Sequence, residues 1–569
     1  MSSDHDHLNR FNNTGGPVYR HRVMISAAVV AAAVGLVVPS AAHAAEPAAN
    51  HTQDAGKKLA GAVEAAAKTA TFSSPPERSV RKTPASAPAA AGTPAAAADH
   101  SVGLVTTGSG ARTMDLSTWV SSEKTEVFRV DVDWGDGHTS DPEHSLTDGF
   151  LRFKHTYAKV GTHKITVTAT DLGTKESVTN SVDVVVAGSD FTPHAPTRLL
   201  DTRDGTGTSS SQPVAPYGTT RVKVGGTSGI PAGVTAVALD ITATGAAADG
   251  HIAAYASGSE QPATSNVNFT AGRSVPNLAI VPVGADGYVE PVNRSPGSVN
   301  LIADVTGSFA RSASSGYTPL DPVRLVDTRD GKGTAKGQVA GQGSFGVQIA
   351  GQGGLPAAGI TAVALNVTIT APKDSGHLTV FPSGQQAPIT SNVNFTAGQT
   401  VANSVIVPVG PDGKINIRNG SWSPTDVIVD VTGYYSADGK AAYLPLAPER
   451  LYDSRKYFLP VSGQDYWWES LFEPNVTLAG AVMNTTVTNT EGSGHLTVAP
   501  DPNTREAYGR SKAIRPTPPN SSNLNWTKGE TVSNLVQAST GKNDTVDFWN
   551  RGWEPADLIV DLFGVYAKN

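Results

Sequence analysis

A unit of domain size is written three times across the last two thirds of this chain, and that repetition constrains the fold more than any other feature. The copies open on Arg198-Leu-Leu-Asp-Thr-Arg203, Arg324-Leu-Val-Asp-Thr-Arg329 and Arg450-Leu-Tyr-Asp-Ser-Arg455, equally spaced, and close on Asp304-Val-Thr-Gly307, Asp430-Val-Thr-Gly433 and Asp561-Leu-Phe-Gly564. Within each copy, short β-branched runs alternate with Gly, Pro, Asn and Asp turns, without amphipathic helical periodicity. In residues 361–370, Val363, Leu365, Val367 and Ile369 share one face and Ala364, Asn366 and Thr368 the other, the pattern of a half-buried strand. The expected fold is all-β: tandem antiparallel β-sandwiches, each repeat a sandwich or a jelly-roll-like unit. The links from Phe309 to Tyr317 and from Tyr435 to Tyr443 are short, so neighbouring units touch, as a stiff rod or a compact trio.

At 569 residues, and about 150 residues per domain, roughly four domains are expected. Residues 1–44 read as a secretory signal: a basic stretch ending at Arg22, an apolar run over residues 23–38, and Ala42-His43-Ala44 as the cleavage site. The run is shorter than the roughly 20 residues needed to cross a bilayer. The mature protein is therefore expected to be secreted, extracellular or cell-surface associated, with no membrane span. Residues 45–100, rich in Ala and Pro, read as a disordered linker. A first β domain occupies 101–188, and the repeats occupy 189–312, 313–438 and a divergent 439–569. The chain has no cysteine, which excludes disulfides, thiol nucleophiles and thiolate metal sites. A net charge of −7 with no basic tract gives nucleic acid nothing to bind.

The segment 101–188 contains Asp133-Trp-Gly-Asp-Gly137, His155-Thr-Tyr157, Gly161 and Ile165-Thr-Val-Thr-Ala-Thr-Asp171. It resembles PKD-type (polycystic kidney disease repeat) domains. The resemblance implies an immunoglobulin-like β-sandwich that exported bacterial proteins use as a spacer or carbohydrate-contacting module. Gly135 and Gly137 permit a tight turn with positive φ, Asp136 caps it, and Tyr157 packs at a sheet corner. Some relatives bind calcium near this loop, which makes Asp133 and Asp136 calcium candidates. The competing reading is a plain turn, because calcium needs about six oxygens. No other cofactor is expected. The three repeats resemble Asp-Thr-Arg-type modules of large exported actinobacterial proteins, a resemblance that speaks to localisation rather than to an activity.

Asp201 with Arg203, Asp327 with Arg329 and Asp453 with Arg455 stand at i and i+2. On a strand these share a face and form charge-assisted hydrogen bonds, and Asp304, Asp430 and Asp561 are expected to accept from the same arginines. A catalytic reading is weaker, since a paired buried charge is usually a fixed contact. The recurrent amides Asn266, Asn268 and Asn277, with Asn392, Asn394, Asn403, Asn523, Asn525 and Asn534, satisfy loop backbone or read sugar hydroxyls. One histidine recurs per copy (His251, His377, His495), as a structural residue, a metal ligand or a base.

The third repeat adds Trp467, Trp468, Trp526, Trp549 and Trp553. Trp526 aligns with Phe269 and Phe395 as a core ring, and Trp553 with Trp422. Trp467, Trp468 and Trp549 have no counterpart and, with Trp553, form the candidate ligand-binding set. Exposed, such rings stack on sugars or dock partners; the alternative is local core filling. An insertion at residues 502–519, with Arg505, Arg510, Lys512 and Arg515, flanks a site or is a solvated loop. The expected function is non-catalytic: binding or bridging extracellular polysaccharide or another cell-envelope component, with proteins as further partners, by contacts strengthened through repetition. One alternative is a glycan hydrolase using Asp547, Glu554 or Asp557, which requires two carboxyl groups about 5 to 9.5 Å apart. The other is a ligand-free stalk, favoured if the tryptophans are buried.

Overall fold

The computed structural model describes residues 45–68, 70–81, 99–124, 126–471 and 476–569, with side chains from residue 56. The expected secretory signal at residues 1–44 lies outside them. Each repeat is an eight-stranded jelly roll. In the first, Asp190–Asp201, Asn300–Ala310, Ala236–Thr244 and Val275–Pro282 are neighbours, in that order, in one sheet. Val222–Lys223, Tyr288–Asn293, Gly250–Ala256 and Val267–Phe269 form the other. All pairings are antiparallel. First and last strands lie side by side in one sheet, as two interlocked Greek keys require. The order recurs with Gly316–Asp327, Asp426–Ser436, Ile360–Thr370 and Val401–Pro408 in the second repeat, and with Ala442–Asp453, Asp557–Ala567, Leu478–Thr488 and Val532–Ser539 in the third. The repeats are modules 1, 2 and 3 below.

The half-buried pattern of residues 361–370 needs correction, because both faces of Ile360–Thr370 are covered. Val363, Leu365, Val367 and Ile369 enter the core of module 2. Ala362 and Ala364 join Ala236, Ala238, Ala479 and Val482 in a separate cluster shared by all three modules. Polar Asn366 and Thr368 are only 3% and 1% exposed. The face that looked solvated is the face another module covers.

The modules close into a ring, so the arrangement is the trio and not the rod. Three isolated antiparallel bridges mark the cycle: Phe191 with Ser315, Tyr317 with Ala441, and Ser189 with Tyr443. Three aromatic contacts follow the same order. Phe191 lies 4.2 Å from Tyr435, Tyr317 4.0 Å from Tyr566, and Tyr443 4.5 Å from Phe309, centroid to centroid. All six rings are buried, each worth about 1.5–3 kcal/mol by area alone. The glycines of the closing phrases make room for them: a Cβ on Gly307 would meet Phe191 Cζ at 2.0 Å, and on Gly433 or Gly564 the hydroxyl of Tyr317 or Tyr443 at 2.2 Å.

The expectation of a disordered linker at residues 45–100 is also corrected. Ala45–Ala67 is an α-helix. Its Leu59, Val63 and Ala67, spaced one turn apart, are buried in a cluster with module 3 and the first β domain. Lys58 Nζ donates to the Arg450 carbonyl at 2.9 Å. A narrow apolar stripe is enough once a neighbour supplies the other half of the contact. Thr71–Ser74 pairs with His100–Gly108 and Val80–Arg81 with Ser177–Val185, so the first β domain begins before residue 101; residues 82–98 lie outside the described ones. That domain is a sandwich of Thr71–Ser74, His100–Gly108, Thr113–Ser122 and Phe150–Thr156 against Val80–Arg81, Ser177–Val185, Thr162–Asp171, Val127–Asp133 and Glu143–Leu146. It is fixed to the trio by a buried Arg112–Asp190 ion pair at 3.6 Å and by a bond from the Ala111 amide to the Asn569 carbonyl at 2.6 Å. Among the described residues, no helix is long and apolar enough to cross a membrane.

Candidate functional site

The recurrent charged residues form one device repeated three times. Arg203 donates from Nε and Nη2 to the two oxygens of Asp201 at 2.9 and 2.7 Å, and Arg329 to Asp327 and Arg455 to Asp453 do the same. The Arg203 and Arg329 guanidinium groups hold Asp201 and Asp327 below the usual carboxylate range. The expected partner of Asp304, Asp430 and Asp561 is corrected: they accept from Arg198, Arg324 and Arg450, at 2.9, 2.9 and 2.8 Å. The reason is register. Arg198 stands directly across the strand pair from Asp304, whereas Arg203 lies past the end of the strand in the turn.

These clusters sit where modules meet. Asp561 accepts the Ser265 amide of module 1 at 3.0 Å, and Asn484 Nδ2 donates to the Ser265 carbonyl at 2.6 Å. The amides of Asn277, Asn403 and Asn534 close a second cycle. Leu278 N donates to Asn403 Oδ1 at 3.4 Å, Ser404 N to Asn534 at 2.9 Å and Leu535 N to Asn277 at 3.2 Å. Asn266, Asn392 and Asn523 each accept a strand amide of their own module at 2.7 Å, and Asn392 Nδ2 also donates to Asp240 Oδ2 of module 1 at 3.4 Å. The recurring histidines belong to the same seams. Burial, then Arg294 and Arg450, press His251 down to about 4, and burial, then Arg551 and Arg324, do so for His495. Both are neutral imidazoles at neutral pH, each facing an arginine of another module.

The candidate tryptophans separate into two kinds. Trp468 and Trp549 are 6% and 2% exposed, so the expectation that they form a stacking platform is corrected. The insertion at 502–519 covers them. Its short helix Arg505–Gly509 lays Tyr508 on Trp468 at 4.0 Å, and Arg515 sits over the rings of Tyr466 and Trp549. Trp467 is half-buried, stacked on Tyr452 at 4.5 Å, with its indole N–H donated to Glu469 at 2.7 Å. Asp547 is sealed under the same cover beside Asp501, which accepts the Tyr508 hydroxyl at 2.5 Å. Burial and the Asp501 carboxyl push Asp547 far above the usual range. Asp557 is held by Ser454 Oγ at 2.6 Å and Asn489 at 2.8 Å, and Glu554 is exposed.

Trp553 is 83% exposed, and it is not alone. Trp422 of module 2 is 84% exposed, and Tyr217 of module 1 is 66% exposed on the facing loop of the same loop pair. The loop pair is built alike each time. Asn293, Asn419 and Asn550 fork across it, Asn419 Nδ2 reaching the carbonyls of Val339, Ala340 and Ser423 within 3.2 Å. Tyr217, Gln342 and Gln464 then bond from their amides to the opposite loop at 3.3, 2.9 and 3.0 Å, each with positive φ. The sequence held a signal for this, a tryptophan in a Gly/Ser/Pro loop at the same place in two copies; Tyr217 carried none. Where the three modules meet, a cleft of about 570 Å³ is lined by Asn268, Asn394 and Asn525 and crossed by an Arg273–Glu530 ion pair at 3.0 Å.

In the first β domain the two calcium candidates are each hydrogen-bonded to other groups. Asp133 accepts the Gly135 amide at 2.9 Å, while Asp136 Oδ2 stands 2.8 Å from His155 Nε2. The set of roughly six oxygens that calcium takes is not assembled from these two carboxylates.

Fold and loop pairs together define an all-β protein, a sandwich docked on three jelly rolls in a ring, each presenting one braced aromatic side chain. No family model and no curated protein matches the chain. Among solved structures it is similar to one from Sulfolobus turreted icosahedral virus, 8% identical over 67% of this chain and 91% of that one, with a TM-score of 0.15. It is also similar to a carbohydrate-binding module of the β-sandwich superfamily (14% identical, 57% and 90% covered, TM-score 0.12) and to a SusE-like protein (13% identical, 35% and 94% covered, TM-score 0.11). At these TM-scores the likenesses carry no weight in assigning a function.

Proposed function

We propose that this chain is an exported, non-catalytic protein that binds extracellular polysaccharide or another cell-envelope polymer at several points at once, through Tyr217, Trp422 and Trp553. The carrying observation is the repetition of an exposed aromatic side chain on an equivalent, rigidly braced loop pair in every module. Exposed rings of this size are costly in water and are characteristic of recognition surfaces. Rigid loops lose little conformational entropy on binding, and three weak contacts on one body raise avidity by about 10²–10⁴-fold. The hydrolase alternative named Asp547, Glu554 or Asp557; Asp547 is sealed beside Asp501 under the insertion, and Asp557 is held by Ser454 and Asn489.

Co-sedimentation of the full chain with cellulose, chitin and peptidoglycan tests the proposal. Trp422→Ala and Trp553→Ala should each weaken binding to the polymer retained, and a triple variant with Tyr217→Ala should fall to background. A triple variant that sediments like the wild type overturns the assignment of these residues. Failure of the wild type to bind any of the polymers favours the stalk.

A further inference from the structure

The Asp-Trp-Gly-Asp-Gly turn carries a metal-binding geometry of a different kind from the calcium site its sequence suggested. Asp136, His138 and His155 each place a donor atom within 4.8 Å of the others, and among the described residues this is the cluster of this type. Two members are already set. His155, on strand Phe150–Thr156, is stacked on Trp134 at 4.9 Å and met edge-on by Tyr157 at 4.7 Å, with Nε2 directed at Asp136 Oδ2. Trp134 is itself locked by its indole N–H to Ser140 Oγ at 2.9 Å, and the Tyr157 hydroxyl donates to the Trp134 carbonyl at 3.1 Å. The side chains of His155 and Asp136 are 15% and 13% exposed, so they are shielded yet reachable.

The third member is the exposed one. The turn is closed by Trp134 N to the His138 carbonyl at 3.0 Å, with Gly135 and Gly137 at φ +77 and +89. It holds the His138 backbone amide against Asp136 Oδ1 at 3.1 Å. The His138 imidazole is 69% exposed, and its Nδ1 already stands 3.3 Å from Asp136 Oδ1. Ligand atoms about 2.0–2.2 Å from a zinc ion need only a small adjustment of this triangle, the Asp136–His155 edge opening and the His138 side closing by rotation of a solvated side chain.

We propose that Asp136, His138 and His155 form a three-ligand site for a divalent zinc-class ion, with the fourth position open to water. Two imidazoles and one carboxylate suit zinc, nickel or copper; calcium and magnesium, which take oxygen ligands, are excluded by the same set. The aromatic packing of His155 and the backbone bond to Asp136 orient the ligands.

Titration of zinc and cobalt(II) ions into the full chain, followed by calorimetry and by the visible absorption of four-coordinate cobalt, tests this. One site sensitive to His138 is expected. His138→Ala, a change at an exposed side chain, should weaken zinc binding by at least about 100-fold, the upper end of what losing even an outer-shell partner costs. Asp136→Asn should weaken it as well, and calcium at equal concentration should not compete. No zinc uptake at neutral pH overturns the proposal, and so does His138→Ala binding zinc as the wild type does, since the ion would then sit on other histidines.

Discussion

Asp240 stands where modules 2 and 3 carry Asn366 and Asn484, each facing the aspartate of its closing phrase across the strand pair. The two amides donate to the carbonyls of Ser522 and Ser265 in other modules; an ionised carboxylate has nothing to donate. Asp240 Oδ1 has no partner, and burial, with Asp304 nearby, pushes the group well above the usual range. Its folded-state value thus exceeds the unfolded one, so its contribution to stability is present below about pH 4 and lost as pH rises. Asp240→Asn should stabilise the protein by about 1–3 kcal/mol at pH 8 and by less at pH 4; thermal unfolding at both values reads this, and an equal gain at both counts against a protonated Asp240. The histidines work the other way. His251 and His495 are depressed to about 4, so their contribution is full above about pH 6.5 and disappears as pH falls toward 4. A His251→Gln/His495→Gln variant should lose less stability over that range than the wild type, by up to about 1.4 kcal/mol per pH unit and histidine. Parallel denaturation curves at pH 7 and pH 4.5 for the two proteins would contradict it.

Among the elements, the 502–519 insertion decides what the third repeat's aromatic residues do. Tyr508 is its anchor, through the ring on Trp468 and the hydroxyl on Asp501. Tyr508→Ala should cost about 1–3 kcal/mol and expose Trp468 and Trp549, shifting tryptophan emission to the red and opening the insertion to protease. An unchanged emission maximum would mean that the sheet face is covered without Tyr508. The strands themselves were legible, because alternation such as Val363, Leu365, Val367, Ile369 reports directly on a module core. What alternation cannot report is a second covered face: Ala364 and Asn366 look like solvent positions until another module is laid on them. The same blindness hid the helix Ala45–Ala67, since its stripe of Leu59 and Val63 is convincing only beside its partner. At the candidate site, Trp553 was legible as a candidate ring, and it is exposed; Trp468 was not legible as a buried one, because the tryptophan itself carries no record of the insertion that covers it.

At the scale of the molecule, the recurrent phrases that invited catalytic readings are largely the fastenings of a ring. Asp561 accepts the Ser265 amide, Gly307 makes room for the Phe191 ring that packs on Tyr435, and Asn277 receives the Leu535 amide. A module released from the ring would expose Phe191, Phe309, Ala236, Ala238, Leu278 and Ile280 together. Residues 189–312 expressed alone should therefore associate or aggregate, and sedimentation at micromolar concentration should find no stable monomer; a folded monomer would show that the central cluster is dispensable. The covalent links between modules have one more consequence. In a ring of three separate identical chains every substitution appears three times, so a change useful on one side is imposed on all. Joined in a single polypeptide, one seam can hold Asp240 in place of an asparagine, one module can acquire residues 502–519, and one loop pair can expose tyrosine while the others expose tryptophan. The fused chain keeps the geometry of a trimer and gives each of its three sides a separate history.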